Sequence, residues 1–196
     1  MPLEPPRLAG LVLAAGAASR FGAPKQLAVL GGEALVARAV RLATGCCDAG
    51  VLVVTGAHAA AVADVLAGSG AGLVRNSDWQ DGMATSLACG VGALPADAAA
   101  CLVMLCDQPG ISAADLQGLR AAWQRDPDAA AAAAYAGVLG VPAIFPVALW
   151  PQLRALRGDR GARRLLAGLE RVTAVSMPQA ALDIDTVADL ERMSPA

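Results

Sequence analysis

The stretch Leu11–Leu27 constrains this chain most, because an apolar run ends there in a loop of small and cationic residues. The run Leu8–Ala15 predicts a buried strand that breaks at Gly16. Small residues around this glycine let the backbone approach a ligand closely, and successive backbone N–H groups form an anion-binding concavity. Arg20 can add a forked donor and Lys25 a point charge. The pattern predicts a polyphosphate-binding loop, with a strand-to-helix turn carrying solvated charges as the alternative.

Two common phosphate-binding motifs are absent from the chain. No Gly-x4-Gly-Lys-Ser/Thr spacing occurs, which excludes a P-loop, and no Gly-x-Gly-x-x-Gly occurs either. The next predicted strand, Val51–Val54, is followed by Thr55-Gly56-Ala57-His58, with no acidic side chain to hold a ribose hydroxyl. These absences disfavour a dinucleotide-binding fold.

The loop resembles the signature of nucleotidyltransferases that join a nucleoside monophosphate to a phosphorylated acceptor, and most closely that of the molybdenum-cofactor nucleotidyltransferases. The matching residues read Leu13-Ala14-Ala15-Gly16-x-x-x-Arg20-Phe21-Gly22-x-x-Lys25-x-Leu27. The resemblance implies that Leu13, Ala14, Ala15 and Gly16 wrap the triphosphate. It also implies that Arg20 and Lys25 bind the nucleotide and neutralise charge during catalysis.

Length and charge limit the kind of substrate. The 196 residues predict a single domain over 1–196. A hydrophobic fraction of 56% with only 16% charged residues indicates a folded globule and not a disordered chain. The net charge of −2 gives no basic surface for nucleic acid, so a small-molecule substrate is expected.

The cysteines and the amino-terminal stretch indicate the cellular compartment in which the protein is expected. Five cysteines without C-x-x-C spacing predict reduced core residues of a cytoplasmic protein. The apolar stretch between Arg7 and Ala18 imitates a secretory signal, but Glu4 and several prolines precede it, and cleavage would remove the first strand. The apolar runs are shorter than the roughly 20 residues of a membrane helix, so no membrane association is expected.

Apolar runs alternate with amphipathic stretches along the chain. Strands are predicted at Leu8–Ala15, Val51–Val54, Leu73–Val74, Ala100–Cys106, Ala143–Phe145 and Val172–Ser176. Helices are predicted at Glu33–Thr44, Ala57–Leu66, Ser86–Leu94, Asp115–Gln124, Val147–Leu156, Gly161–Leu169 and Val187–Met193. This alternation predicts an α/β sandwich with a mainly parallel central sheet. The resemblance implies the three-layer, Rossmann-like form of the nucleotide-diphospho-sugar transferases.

The alanine-rich stretch Ala129–Tyr135 is ambiguous. Consecutive alanines favour a helix by propensity, whereas Asp126-Pro127-Asp128 and Gly137 bound the stretch as they would a strand. The family resemblance favours the strand.

Asp107 follows the fully apolar predicted strand Ala100–Cys106, at the end where ligands gather in parallel sheets. A carboxylate there can hold Mg²⁺ against phosphates. The alternative role as a helix cap is disfavoured, because Ser112 with Asp115 three residues later makes the better cap. Asp107-Gln108-Pro109 resembles the family's Gly-Asp-x-Pro motif, with Cys106 in place of the glycine, and so also implies nucleotide binding.

A second acidic point lies in Asp183-Ile184-Asp185-Thr186. In an extended segment both carboxylates share one face and could turn toward one ion, although Asp185 or Thr186 could instead begin the last helix. The stretch resembles the family's Asp-Ile-Asp-Thr-x-x-Asp-Leu. The resemblance implies that Asp185 is the second Mg²⁺ ligand, and Asp183 is the weaker candidate.

Further motifs concern the base and the acceptor. Asn76–Leu87 resembles the family's Asn-x-x-Trp-x-x-Gly-Met-x-x-Ser-Leu, which implies that Ser86 lies near the base, although Thr85 and Ser86 could simply cap a helix. Gly140-Val141-Pro142 resembles the acceptor loop. Gly158–Arg163 resembles a stretch whose cations face an anionic acceptor. The implied acceptor-binding residues are Gly140, Pro142 and Arg163. The other arginines in and beside this stretch, Arg157, Arg160 and Arg164, are interpreted as solvated. His58, the only histidine in the sequence, is interpreted as a surface residue.

These motifs occur in family order along nearly the whole chain. The resemblance implies Mg²⁺-dependent transfer of CMP from CTP to molybdopterin with release of pyrophosphate. Ala15, where guanylyltransferase relatives carry glycine, favours CTP over GTP. The implied partners are the nucleotide, a phosphorylated pterin, and a molybdoenzyme or its chaperone. Two alternatives remain: nucleotidyl transfer to another phosphorylated acceptor, such as an isoprenoid precursor, and a non-catalytic nucleotide-binding regulator.

Overall fold

The computed structural model describes residues 5–18, 20–159 and 161–193. These parts of the chain form nine strands and seven helices, with turns and loops between them. The strands are β1 (Leu8–Ala14), β2 (Val29–Leu30), β3 (Glu33–Ala34), β4 (Val51–Thr55), β5 (Gly72–Arg75), β6 (Ala100–Leu105), β7 (Ala130–Tyr135), β8 (Val138–Pro146) and β9 (Val172–Ser176). The helices are α1 (Leu35–Thr44), α2 (Ala59–Val65), α3 (Met83–Gly92), α4 (Ala113–Arg125), α5 (Trp150–Ala155), α6 (Ala162–Gly168) and α7 (Val187–Met193).

Seven of these strands form one sheet in the order β5-β4-β1-β6-β8-β7-β9. Among them only β8 runs antiparallel to its neighbours β6 and β7, so the predicted mainly parallel sheet is confirmed. Strand β1 pairs with β6 from Leu8↔Ala100 to Leu13↔Leu105. The chain therefore leaves β1 and β6 at the same edge of the sheet.

Helices cover both faces of the sheet, which confirms the three-layer α/β sandwich. Alternate residues of β1 point to opposite faces, as the period of a strand requires. Val12 packs with side chains of α1, α2 and α4, while Leu11 packs with side chains of α3, α5 and α6. A strand buried on both faces must be apolar throughout, and this is the pattern of β1, β4 and β6.

The alanine-rich stretch forms strand β7, as the resemblance favoured. Its first four residues are fully buried, and it lies between β8 and β9. Burial and pairing on both sides override the helix propensity of alanine.

Several predicted boundaries are wrong. The helix predicted at Glu33–Thr44 begins only at Leu35, because Gly31 and Gly32, with φ of 60° and 85°, make a hairpin that uses Glu33 and Ala34 as strand β3. The helix predicted from Ser86 begins at Met83, directly after Gly82. The helix predicted at Val147–Leu156 is a 3₁₀ turn over Val147–Leu149 followed by α5.

The strand predicted at Ala143–Phe145 is also longer than expected, since β8 runs from Val138 to Pro146. The tight turn at Ala136-Gly137, with φ of 48° and 76°, returns the chain directly from β7 into β8. The remaining predicted elements differ from the observed ones by no more than two residues at each end.

All five cysteines are free thiols, and Cys46, Cys101 and Cys106 are buried, as expected for core residues. Within the described residues, none of the helices has both the length and the apolar character needed to cross a membrane.

Candidate functional site

A cavity of about 370 Å³ opens where the chain leaves β1 and β6 at the edge of the sheet. The loop after β1, the start of α3 and the end of β6 form its walls. Of the residues predicted to bind a nucleotide, those lining the cavity are Leu13, Ala14, Ala15, Gly16, Lys25, Ser86 and Asp107. The fold thus gathers residues from three distant parts of the chain around one space.

Gln26 fixes the course of the loop beneath this cavity. Its side chain is 3% exposed, and Nε2 donates to the carbonyl oxygens of Ala14, at 3.1 Å, and Gly16, at 2.5 Å. Two carbonyl acceptors fix the amide orientation, which leaves Oε1 buried and without a partner among the described residues. Sequence reasoning assigned Gln26 no role, since an isolated glutamine in a loop carries no spacing signal.

Lys25 bridges the carboxylates of Asp107 and Asp185, the two residues predicted from the sequence to be metal ligands. Its Nζ donates to Asp107 Oδ2 at 2.7 Å and to Asp185 Oδ1 at 2.9 Å. Burial lowers the pKa of Lys25, but the charges and hydrogen bonds of Asp107 and Asp185 outweigh it, so the pKa lies above its ordinary value. The ammonium therefore stays protonated and offsets part of the negative charge of Asp107 and Asp185, which together are called the acidic edge below.

Backbone contacts position both carboxylates. The Asp107 carbonyl accepts a hydrogen bond from Ile184 N at 2.9 Å, which fastens the segment before α7 to the end of β6. Ser112 caps α4 in a capping box with Asp115, as predicted, so Asp107 is not needed as the cap.

Asp183 lies on the same segment and does not contact Lys25 within hydrogen-bond distance. Partial burial of its carboxyl, followed by the charges of Asp107 and Asp185, raises the pKa of Asp183 to about 6, against the opposing effect of Lys25 and Arg163. Ile184 between the two acids is fully buried, so both flanking carboxylates lie toward the open edge.

The carboxylates of Asp107 and Asp185 have the chemistry to hold a divalent cation. Asp107 Oδ1 is buried and has no partner among the described atoms, and Asp107 and Asp185 already converge on one cationic group. Carboxylate oxygens are hard ligands, and Mg²⁺ is commonly held by one or two of them together with phosphates. No group of three or more His, Cys, Asp or Glu side chains is arranged around a metal position in the described chain.

Ser86 is held in the wall of the cavity by a buried asparagine. Asn76 is 4% exposed, and its Nδ2 donates to Ser86 Oγ at 3.0 Å and Thr85 Oγ1 at 2.9 Å. The alternative that Thr85 or Ser86 caps α3 is wrong, since Gly82, with φ of 105°, precedes the first helical residue. The motif instead orients two hydroxyls inside the first turns of the helix.

The predicted acceptor stretch Gly158–Arg163 is divided between two places. A Cβ on Gly82 would lie 2.5 Å from the Gly158 carbonyl carbon, and Ala84 N donates to Gly158 O at 3.0 Å. Asp159 consequently lines the nucleotide cavity. Arg163, exposed on α6, instead acts electrostatically on Asp183. Arg160 lies outside the described residues.

The sequence predicts that Gly140 and Pro142 form a loop. In the structure both residues lie within β8. The pairing of β8 with β7 shifts from Ala132↔Ala143 to Ala133↔Gly140, so Val141 and Pro142 bulge from the ladder. The freed Val141 carbonyl accepts a hydrogen bond from Gln108 Nε2 at 3.2 Å. Neither Gly140 nor Pro142 lines the nucleotide cavity.

Arg20 lies apart from these groups. It is exposed, it does not line the cavity, and it makes no hydrogen bond or ion pair within the described part of the chain. The sequence predicts a surface position for His58, but this residue is half-buried. Its Nε2 lies 3.4 Å from the carbonyl oxygen of Ala17 in the loop after β1.

Comparison with known proteins gives a family and a set of structural relatives. The profile of the family described as MobA-like NTP transferase domain matches residues 10–173. Rv0371c of Mycobacterium tuberculosis H37Rv is 26% identical with a TM-score of 0.84, over 96% of this chain and 98% of that one. A further structure of Rv0371c is a complex with manganese. A comparison with curated protein sequences gives no match.

Two other solved structures are similar over nearly their full length. The Rv0371c homologue of Mycobacterium sp. strain JC1 is 30% identical, with a TM-score of 0.80 over 95% of this chain and 94% of that one. A nucleotidyl transferase from Methanothermobacter is 25% identical, with a TM-score of 0.79 over 95% of each chain.

Proposed function

Since this chain belongs to the family of MobA-like NTP transferase domains, we propose that it transfers CMP from CTP to molybdopterin with release of pyrophosphate. The whole chain, residues 1–196, would serve as a single nucleotidyltransferase domain in the cytoplasm. The nucleotide and the phosphorylated pterin are its small-molecule partners. A molybdoenzyme or its chaperone would receive the product.

The convergence of Lys25, Asp107 and Asp185 beside the cavity carries this proposal. A nucleotide cavity walled by an anion-binding loop needs balanced charge where the triphosphate meets the acceptor. Lys25 brings one positive charge within 2.9 Å of both carboxylates, and Asp107 keeps one buried oxygen free of any described partner. Buried carboxylate oxygens without a partner are uncommon in folded proteins, and a bound ion is one of the arrangements that satisfies them.

The reaction forms one P–O bond and breaks another. A phosphate oxygen of the acceptor attacks the α-phosphorus of CTP, the α–β phosphoanhydride breaks, and pyrophosphate leaves with the bonding electrons. Backbone N–H groups of Ala15 to Ala18 would hold the triphosphate, and Lys25 and Arg20 would offset its charge. Asp107 and Asp185 would hold a divalent metal, which we propose to be Mg²⁺ and which would supply further positive charge at the phosphates. The manganese complex of Rv0371c supports the use of a divalent metal.

The choice of base rests on the methyl group of Ala15. This residue is 5% exposed and lines the cavity, where a larger purine would need the space. Transfer from GTP, and transfer to another phosphorylated acceptor, are the alternatives to be separated by experiment.

The test is a transfer assay with α-labelled CTP or GTP, Mg²⁺ and molybdopterin or 2-C-methylerythritol 4-phosphate as acceptor. We expect a labelled CMP adduct with molybdopterin and stoichiometric pyrophosphate. Product from GTP alone, or only with the other acceptor, would replace the proposed substrate. Nucleotide binding without turnover would favour a regulator.

Two variants separate the site from general damage to the fold. Asp107→Asn should abolish transfer while thermal unfolding stays cooperative, because it removes a charge from the edge of the sheet and not from the core. Asp64→Asn, on the exposed side of α2, is the matched control and should retain wild-type rates. Turnover that survives excess EDTA would contradict the metal requirement.

A further inference from the structure

Gly140 of β8 lies directly against the ring of Tyr135 at the end of β7. A Cβ on Gly140 would lie 2.2 Å from the Tyr135 hydroxyl oxygen and 2.8 Å from Cζ. Carbon atoms do not approach so closely, so any larger residue would push the ring away. Gly140 has no positive φ that would itself demand glycine. The residue is therefore required by the tyrosine ring and not by its own backbone.

Tyr135 interacts electrostatically with the predicted acceptor cation, Arg163, and with the acidic edge. The ring is half-buried; this burial raises the pKa of Tyr135, Arg163 lowers it, and Asp183 and Asp107 raise it. Each of these groups must therefore lie close enough to the phenol to affect its charge. Tyr135 does not line the nucleotide cavity, whereas Asp107 does. Asp107 therefore lines the cavity and also interacts electrostatically with a phenol that lies outside it.

The sheet opens beside this phenol. Pairing of β6 with β8 ends at Val103↔Ala143, and beyond it Gln108 bridges the separated strands by donating to Val141 O at 3.2 Å and Ala180 O at 2.7 Å. Gln108 also lies next to the phenol. Gln108 therefore connects the Asp107 end of β6 to the bulge of β8 that follows Gly140.

We propose that the Tyr135 hydroxyl contacts the phosphorylated acceptor and that Gly140 acts through Tyr135, as a positioning residue that makes room for its ring. This inference rests on the proposed function, whose acceptor it concerns. The sequence predicts that Gly140 itself contacts the acceptor. In this proposal the acceptor instead contacts Tyr135, the only tyrosine in the sequence. Arg163 supplies the neighbouring positive charge.

The kinetic test compares Gly140→Ala in two backgrounds. In the wild-type background it should raise KM for molybdopterin about tenfold or more, with KM for CTP within about twofold. In a Tyr135→Ala background the same substitution should add nothing, because the ring that it displaces is gone. Gly118→Ala, at an exposed helical position with no atom within 4 Å of the added Cβ, is the matched control and should be neutral in both backgrounds.

Tyr135→Phe tests the hydroxyl alone. Hydrogen bonds to charged groups contribute about 1.5–3 kcal/mol, so loss of the contact should raise KM for molybdopterin roughly 10- to 100-fold with CTP unaffected. An equal effect on both substrates, or a Gly140→Ala effect of the same size in both backgrounds, would overturn the inference while transfer itself stands.

A binding measurement keeps the test independent of turnover. Replacement of the single tyrosine by 3-fluorotyrosine gives one ¹⁹F resonance, which should shift on addition of molybdopterin and should already be displaced in Gly140→Ala. An unmoved resonance at saturating molybdopterin overturns the inference. A wild-type protein that makes no product overturns the proposed function, and the fluorine titration then still decides whether Tyr135 contacts the pterin.

Discussion

At the scale of single residues, Gly16 and Gly56 differ in the space that surrounds their Cα atoms. An added Cβ on Gly56 would lie 2.5 Å from Ala15 O and 2.8 Å from the Trp79 ring, so packing within the chain requires that glycine. Gly16 has no atom within 4 Å of an added Cβ, and it lines the cavity. The space beside Gly16 is therefore open to the cavity and not filled by described atoms of the protein.

Gly16→Ala is expected to leave the melting temperature unchanged or slightly raised, because the new methyl meets nothing and reduces the entropy of the unfolded chain. KM for CTP should rise about tenfold, equivalent to about 1.4 kcal/mol, since the methyl enters the phosphate cradle. Steady-state kinetics and thermal unfolding measure the two effects. Gly92→Ala, which is also unobstructed but lies at the end of α3, is the control. Unchanged KM in Gly16→Ala would contradict the phosphate-loop assignment.

Lys25 occupies the position where a bound cation would meet the two carboxylates. Its side chain is only 15% exposed, and it provides the positive charge that Asp107 and Asp185 need when no metal is bound. If Asp107 and Asp185 hold a divalent ion, as proposed, the same ammonium would compete with it for these oxygens.

Lys25→Ala is expected to bind Mn²⁺ at least about tenfold more tightly in the absence of nucleotide, because the competing charge is gone. Transfer should nevertheless fall by roughly 10²–10³ in kcat, as on loss of a group that stabilises transition-state charge. Calorimetric titration of the nucleotide-free protein with Mn²⁺ measures the first effect. Lys25→Arg keeps the charge and should bind Mn²⁺ as weakly as the wild type. Equal Mn²⁺ affinity for Lys25→Ala and the wild type would refute the competition.

At the scale of secondary-structure elements, position in the sheet overrides local preference. Alanine has the highest intrinsic helix propensity, yet the alanines of β7 pair with both β8 and β9. Their small side chains, four of them fully buried, let α4 approach the strand. At the end of the strand, the single large residue Tyr135 is accommodated by the absence of a side chain on Gly140.

At the scale of the whole molecule, the candidate site depends on contacts between the two ends of the chain. Lys25 and Asp185 are 160 positions apart, and Lys25 and Asp107 are 82 apart. The segment that carries Asp185 is anchored by Ile184, which is fully buried in a small cluster with Phe21 of the loop and Leu35 of α1. This apolar contact holds the acid and the lysine in register without itself carrying charge.

Ile184→Ala is expected to lower the free energy of unfolding by about 2–4 kcal/mol through loss of buried surface and the resulting cavity. It should also reduce kcat/KM for CTP at temperatures where the protein remains folded, because both the loop and Asp185 lose their common anchor. Urea unfolding and steady-state kinetics measure the two effects. Leu182→Ala, at a side chain that is 51% exposed two residues earlier, should change neither. Normal kinetics in a destabilised Ile184→Ala would separate the anchor from the site.

Features that depend on neighbouring residues could be predicted from the sequence. Continuous apolar runs located β1, β4 and β6, the loop glycines and small residues located the cavity wall, and the spacing of Ser112 and Asp115 located the start of α4. These signals can be read because hydrogen bonding in caps and turns, and the length of an apolar run, involve only a few neighbouring residues.

Contacts between groups that are far apart in sequence depend on the folded chain. The fold pairs Lys25 with both acids, places Gly140 beside the Tyr135 ring, and packs Gly158 against Gly82 so that Asp159 lines the cavity. Strand order and register fix these contacts, and both depend on the packing free energy of the entire sheet and its helices. That free energy is a property of the folded chain as a whole, so no local pattern in the sequence records it.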